Sequence, residues 1–365
     1  MSALTSEVKD ANSPVARWLR ARFPHHHEVQ ADYREAVGPA RVLPSTAVAT
    51  GTQGAAIDWW LRFLVDPAPS VHLAAAGLRT RRAPCRQAGL ELLHELGAID
   101  GENKAFRPID PTRFADRSDE WWARVCYALA LLVELYRAPV VEGSRLMRLD
   151  ANSRAADLLA LANDDEVADL IAMRDLAVER LLPALPSGPV SSGSTFEGSI
   201  DLNADADLII GGALVDFKSG QGGRPRQDGS RAATLARADL DQLLGYVLLD
   251  YSDSFTLHTV AIYAVRFGHY TAWPLTDLCT RMAGRTVDLA VLRHEFAHLV
   301  RAERPASRRE SLVARVRRSA PATYVLLGSW SDAAGPTPAH RNFVCRAPEC
   351  MSHVDPGDVG QDPRL

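Results

Sequence analysis

The stretch from Ala204 to Gly220 reads ADADLIIGGALVDFKSG. Two β-rich runs, Leu208-Ile209-Ile210 and Ala213-Leu214-Val215, flank Gly211-Gly212, a dipeptide that accepts the positive φ angles of a two-residue hairpin turn. A hairpin closed there sets Ile210 opposite Ala213, Asp207 opposite Asp216 and Asp205 opposite Lys218. Side chains alternate between the faces of a strand, so Asp205, Asp207, Asp216 and Lys218 share one face. Two carboxylates directly opposite each other repel, and a cation between them removes the conflict. The pattern predicts a divalent-metal site with an ammonium beside it, a combination suited to a phosphodiester.

Downstream, Asp239-Leu240-Asp241-Gln242-Leu243-Leu244-Gly245-Tyr246 predicts a helix over 239–249. Residues four apart share a helix face, so Gln242 and Tyr246 can point at the same site. Together, hairpin and helix resemble the PD-(D/E)XK nuclease superfamily, in its RecB-like branch with the added Gln-x-x-x-Tyr signature. Asp207 matches the first acid and Asp216-Phe217-Lys218 the acid-x-Lys, with Ala206 where the family name has proline. The resemblance implies a restriction-endonuclease-like α-βββ-αβ core and Mg²⁺- or Mn²⁺-dependent hydrolysis of phosphodiester bonds, in DNA rather than RNA. It assigns the metal to Asp207 and Asp216, and the orientation or activation of water to Lys218. Gln242 and Tyr246 would position Lys218 and the substrate strand. Asp205 and Asp201 are alternates for the first acid, and Asp205 ranks second because it faces the lysine. Phage defence and recombination-repair are the settings the family implies.

The first core helix of such nucleases is matched by GAAIDWWLRFLV, residues 54–65, where relatives often place one more polar site residue. Asp58 stands there with Arg62 one turn on; the competing reading is a surface ion pair between the two. Between Lys218 and Gln242 lie Arg224, Arg226, Arg231 and Arg237, separated by glycines and small residues. Beside the hairpin these arginines would form a phosphate-contacting lid. Arg266, ending a core strand, completes with Arg62 the predicted substrate-binding set.

Residues 1–53 read as an N-terminal helical segment and 54–66 as the first core helix. Ser13-Pro14 opens a helix over 15–23, with Ser13 as N-cap and Pro14 at its first position, and His25-His26-His27 follow in a polar loop. Apolar spacing predicts helices over 82–96, 120–137, 152–161 and 165–182, with Asn152 and Asp164 as N-caps. They make 67–190 a large helical insertion of the kind that roofs a substrate channel in RecB-like nucleases. Its stripe of Trp121, Trp122, Tyr127 and Tyr136 reads as core. Pro186-Ser187-Gly188-Pro189 breaks the pattern, and 191–275 reads as the core sheet and helix, with strands over 194–202, 205–210, 213–219, 256–265 and 270–274. C-terminal helices over 276–328, the last from 308 to 317, precede a Pro-, Gly- and Asp-rich tail, 329–365, expected to be poorly ordered.

The 365 residues are 47% hydrophobic and 24% charged, as in a soluble globular protein. A net charge of −4 gives no global basic field, so nucleic acid would have to be met by a local groove. The chain shows no apolar run of about eighteen residues and no signal peptide between Met1 and Arg22, so no membrane partner is expected. Five cysteines without a regular framework fit a reducing cytoplasm. The richness in Ala, Arg, Leu and Asp fits a high-GC bacterial source. Composition leaves open a protein partner or a homo-oligomer.

Two motifs compete. Val291 to Val300 reads VLRHEFAHLV, and its His294-Glu295-x-x-His298 is the zinc-protease pattern of two imidazoles on one helix face with a glutamate to activate water. A protease would need a third ligand downstream, and Glu303 and Glu310 are possible ones, beside Pro305 and a run of arginines. The bland reading is an amphipathic helix with Leu292, Phe296 and Leu299 buried. Cys345 and Cys350, with His340 and His353, could form a zinc knuckle; reduced thiols in a loose tail are the simpler reading. Cys279, Cys345 and Cys350 follow the core without the close spacing of a cluster motif, which argues against the iron–sulfur cluster of some RecB-like nucleases. The readings are thus a nuclease, a catalytically inactive nuclease-fold DNA-binding or assembly subunit, and a zinc metalloprotease.

Overall fold

The hairpin closes in the predicted register. In the computed structural model, which describes residues 2–45, 48, 50–79, 85–99, 106–137, 143–302, 324–327 and 342–345, Ile210 pairs with Ala213, Ile209 with Leu214 and Leu208 with Val215. Gly211 and Gly212 take φ values of 53° and 76°, a left-handed pair that two residues with Cβ atoms would resist.

Among the described residues the chain begins with helices α1 (Ala3–Lys9), α2 (Pro14–Arg22), α3 (His27–Val37) and α4 (Thr50–Val65). Then come α5 (His72–Gly77), α6 (Arg86–Glu95), α7 (Asp119–Arg137), α8 (Ala155–Leu159) and α9 (Asp164–Arg180). The sheet opens with β1 (Val190–Thr195), β2 (Asp205–Ile210) and β3 (Ala213–Lys218), crosses through α10 (Arg237–Leu249), and ends with β4 (Thr259–Ala264) and β5 (His269–Pro274). Helices α11 (Leu275–Ala283) and α12 (Leu289–Ala302) follow, and β6 (Tyr324–Leu327) pairs with β7 (Asn342–Cys345) in a separate ribbon.

The five strands lie in the order β1-β2-β3-β4-β5. Their pairings are antiparallel except for β3 with β4, which run parallel and so require the α10 crossover. The result is a mixed α/β fold in which α4, β1–β3, α10 and β4 come in the order α-βββ-αβ, with α5–α9 between α4 and β1. Alternation along the strands separates two cores. Val215, Phe217 and Tyr263 face α4–α9, whereas Leu214, Val260 and Ile262 face α1–α3 and α10–α12. Asp216, between Val215 and Phe217, therefore points toward the α10 side. No helix among the described residues is long and apolar enough to cross a membrane.

Capping explains several boundaries. Ser13 Oγ accepts the Ala16 N–H at 2.9 Å, and Pro14 opens α2 as expected. Helix α9 is capped by Asn163, not Asp164: Asn163 Oδ1 accepts from Glu166 N at 2.9 Å and Glu166 Oε2 accepts from Asn163 N at 3.0 Å, a reciprocal capping box. Asn152 lies outside α8, whose start is closed by Asp157 accepting from Arg154 N. Helix α4 begins at Thr50, one turn before the predicted Gly54.

The strand expected over 194–202 is instead β1 from Val190, followed by a 3₁₀ turn over Glu197–Ile200 that Ser199 fastens to Phe196 N and Ala204 O. Positive φ at Asp253 and Thr256 delays β4 to Thr259. Within the C-terminal helices, Gly284 (φ 68°) separates α11 from α12. Helices α1 and α3 lie within the N-terminal segment expected to be helical, and α5 within the helical insertion, at positions the apolar spacing did not mark. The helix expected over 308–317 lies outside the described residues. In the tail expected to be poorly ordered, β7 forms within the ribbon.

Candidate active site

The hairpin opens into a fork at its base. Ladder pairing of β2 with β3 ends at Leu208–Val215, while β2 stays on β1 as far as Asp205–Thr195. Asp205 therefore does not face Lys218 as the regular register predicted; it pairs with Arg137 of α7 at 2.9 Å. The Asp207 carboxylate bridges the fork, Oδ2 accepting the Phe217 N–H at 2.8 Å and Oδ1 lying 3.3 Å from Arg62 Nη2. Both sheet faces supply side chains here, Asp58 and Arg62 from α4 on one side and Asp239, Gln242 and Tyr246 from α10 on the other.

Lys218 sits at the centre. Its Nζ lies 2.7 Å from Asp216 Oδ2 and 3.3 Å from Asp239 Oδ1, and donates to Gln242 Oε1 at 2.8 Å. Gln242 Nε2 donates to the Tyr246 hydroxyl and to Thr5 Oγ1, both at 2.9 Å. Gln242 and Tyr246 thus share one face of α10, with Gln242 reaching Lys218 and Tyr246 reaching Gln242. Asp58, Asp207, Asp216, Lys218, Gln242 and Tyr246 line one cavity of about 190 Å³.

Crowding of acids sets the electrostatics. Burial, with Asp207 nearby, pushes the Asp216 carboxyl up to about 7 although Lys218 opposes the rise. Burial and then the Asp207 charge push Asp58 well above the usual carboxylate range, against Arg62. Burial works against the Lys218 charge, but Asp216 and Asp239 outweigh it and raise its pKa, so Lys218 is an ammonium at neutral pH. Burial, then Asp216 and Asp207, raise the Tyr246 phenol.

The donor chemistry fits a hard divalent cation. Asp58 and Asp216 are carboxylates with raised proton affinity, and the buried Asp216 Oδ2 meets the Lys218 ammonium at 2.7 Å. Asp207 is turned toward Arg62 and the Phe217 N–H, and among the described residues no three His, Cys, Asp or Glu side chains converge as a ready ligand set.

Most predicted substrate-binding arginines are committed elsewhere. Arg62, 7% exposed, holds Asp207 and lies over the Trp59 ring instead of forming a surface pair with Asp58. Arg266 is 2% exposed and bidentate to Asp169 at 2.7 and 2.8 Å, with Nε donating to Ser219 O. Arg237 opens α10 and is spent on Asp241, His26 and Leu19 O. Arg231 folds back onto Gly223 O. Arg224 and Arg226 are exposed on the 219–236 loop and do not line the cavity. Thr5, Arg137 and Asp239 belong to the site and were missed. Asp239 alone left a local signal, lying one turn before Gln242 on the same helix face.

The HExxH helix is α12. His294 and His298 are exposed with Nε2 atoms 3.2 Å apart, while Glu295 pairs with Arg22 at 2.7 Å. Leu292 and Phe296 are buried against α2 and α10. Glu303, Glu310, His340, Cys350 and His353 lie outside the described residues.

The raised carboxyls set a pH dependence. An acid whose folded pKa exceeds its unfolded value carries more protons folded than unfolded between the two, so stability falls as pH rises through that window. For Asp216 the window runs from about 4, the ordinary value, to about 7, and Asp58 has the same sign. Acids held low by hydrogen bonds, such as Asp110 beside Thr112, act with the opposite sign below this window. His26, His72 and His269, lowered chiefly by burial, act with the opposite sign up to about pH 6.5. Relative to Asp216→Asn, the melting temperature of metal-free wild type should decline between about pH 4 and about pH 7. An unchanged slope in that variant would assign it to other groups.

Comparison with protein-family profiles, curated proteins and solved structures finds no match to this chain.

Proposed function

We propose that this chain is a divalent-cation-dependent nuclease with a RecB-like PD-(D/E)XK core, hydrolysing phosphodiester bonds in DNA. The observation that carries the reading is Lys218, held between Asp216 and the Gln242–Tyr246 pair in a cavity shared with Asp207 and Asp58. An ammonium fixed beside a cluster of carboxylates serves a reaction in which negative charge builds on phosphate oxygens.

Asp207 and Asp216 would hold the cation, with Asp58 close by. Bound Mg²⁺ or Mn²⁺ would supply an acidified water and neutralise phosphoryl charge. Lys218, an ammonium in the metal-free site, would donate a hydrogen bond to the attacking water or to a non-bridging oxygen. Gln242 restrains Nζ, and Arg62 fixes the Asp207 carboxylate. Arg224 and Arg226 are left to meet the phosphate backbone beyond the cavity.

The test is incubation with linear and circular DNA, single- and double-stranded, and with RNA, in Mg²⁺, Mn²⁺ or chelator. DNA should be cut in either metal and left intact in chelator. Binding without cleavage in both metals would favour the inactive nuclease-fold subunit.

A further inference from the structure

Helix α1 lies far from the hairpin in sequence, yet Ser2, Thr5, Val8 and Lys9 line the acidic cavity. The helix is firmly seated. Leu4 is fully buried and its N–H donates to Asn203 O at 3.1 Å. It packs so closely on α10 that a Cβ at Gly245 would come within 2.7 Å of the Leu4 side chain. Ser2 caps α1 by accepting the Thr5 N–H at 3.3 Å.

This seating aims one hydroxyl at the site. Thr5 Oγ1 accepts from Gln242 Nε2 at 2.9 Å and lies 2.8 Å from Ser2 Oγ. A hydroxyl that accepts from an amide sends its own proton elsewhere, and Ser2 Oγ is in place to take it. The carboxamide of Gln242 can in principle sit either way round. Two oxygen acceptors, Thr5 and Tyr246, engage its NH₂ and leave Oε1 facing Lys218 Nζ.

We propose that Thr5 is a positioning residue of the site: it holds the Gln242 carboxamide in the orientation that fixes Lys218, which makes α1 part of the reactive assembly. The kinetic consequence rests on the nuclease reading; the effect on Lys218 does not. Valine has the shape of threonine without the acceptor, so Thr5→Val keeps α1 packed and frees one amide N–H. Thr5→Ser keeps the hydroxyl.

Two readouts are taken on wild type, Thr5→Val and Thr5→Ser, each with a matching melting curve. In DNA cleavage, Thr5→Val should lower kcat by about tenfold or more with KM nearly unchanged, since a misplaced reacting group acts on the chemical step; Thr5→Ser should restore it. In labelling with acetic anhydride, read by peptide mass spectrometry without DNA, Lys218 should react severalfold faster in Thr5→Val and at the wild-type rate in Thr5→Ser. If wild type cuts no nucleic acid, the nuclease reading fails and labelling alone decides the role of Thr5. If wild type cuts DNA and Thr5→Val matches it in kcat and labelling, the role of Thr5 is overturned while the nuclease reading stands.

Discussion

Asp216→Ala and Lys218→Ala should each lower DNA cleavage by about a thousandfold while the chain stays folded. Asp216 is 2% exposed and supplies a buried oxygen 2.7 Å from the Lys218 ammonium. Lys218 is the ammonium that Asp216, Asp239 and Gln242 hold in place. Removing Asp216 also removes one of the crowded carboxyls, so metal-free Asp216→Ala should melt no lower than wild type near neutral pH. Lys218→Arg should not rescue activity, because a planar guanidinium cannot occupy a pocket fitted to a compact ammonium. The measurement is initial rates on single- and double-stranded DNA in Mg²⁺ and Mn²⁺, beside thermal melts. Wild-type rates from either alanine variant would remove the hairpin from the mechanism.

The second large effect is on stability. Arg266, in the 3₁₀ turn after β4, and Asp169 of α9 form a bidentate pair, each 2% exposed at its side chain. Gln53 Nε2 also donates to Asp169 Oδ2 at 2.9 Å. Removing one partner strands the other charge in the interior, at a cost of about 3–5 kcal/mol. Arg266→Ala should therefore lower the melting temperature by roughly ten degrees, and Asp169→Ala should do much the same. Replacing both with well-packed apolar residues should recover most of the loss. Urea unfolding of the single and double variants gives the coupling directly. A variant of Arg266 that lost DNA affinity but kept its stability would return this residue to the phosphate-binding role that its place at a strand end suggested.

Arg266 also shows where sequence reading stops. Its position at the end of a core strand was legible, and so was its charge. Its partner was not, because Asp169 arrives from α9 of the helical insertion, far away in the chain. Arg62 repeats the lesson: the nearest acid on its own helix face is Asp58, one turn away, yet the fold turns it to Asp207. Arg137 and Asp205 meet across a similar distance in sequence. Thr5 left no local trace, since nothing in its neighbourhood names Gln242 as the group it will meet.

By itself the sequence determined the Gly211-Gly212 turn, the register of the first three hairpin pairs, and the shared face of Gln242 and Tyr246. Each follows from backbone stereochemistry or helical period, which depend only on residues near in the chain. Tertiary structure alone decided that β2 leaves β3 beyond Leu208, that Asp207 closes the fork through its side chain, that α1 joins the site, and which arginines are spent inside the protein. Burial and charge pairing depend on what the opposite layer of the fold brings within a few ångströms, and no local pattern encodes that.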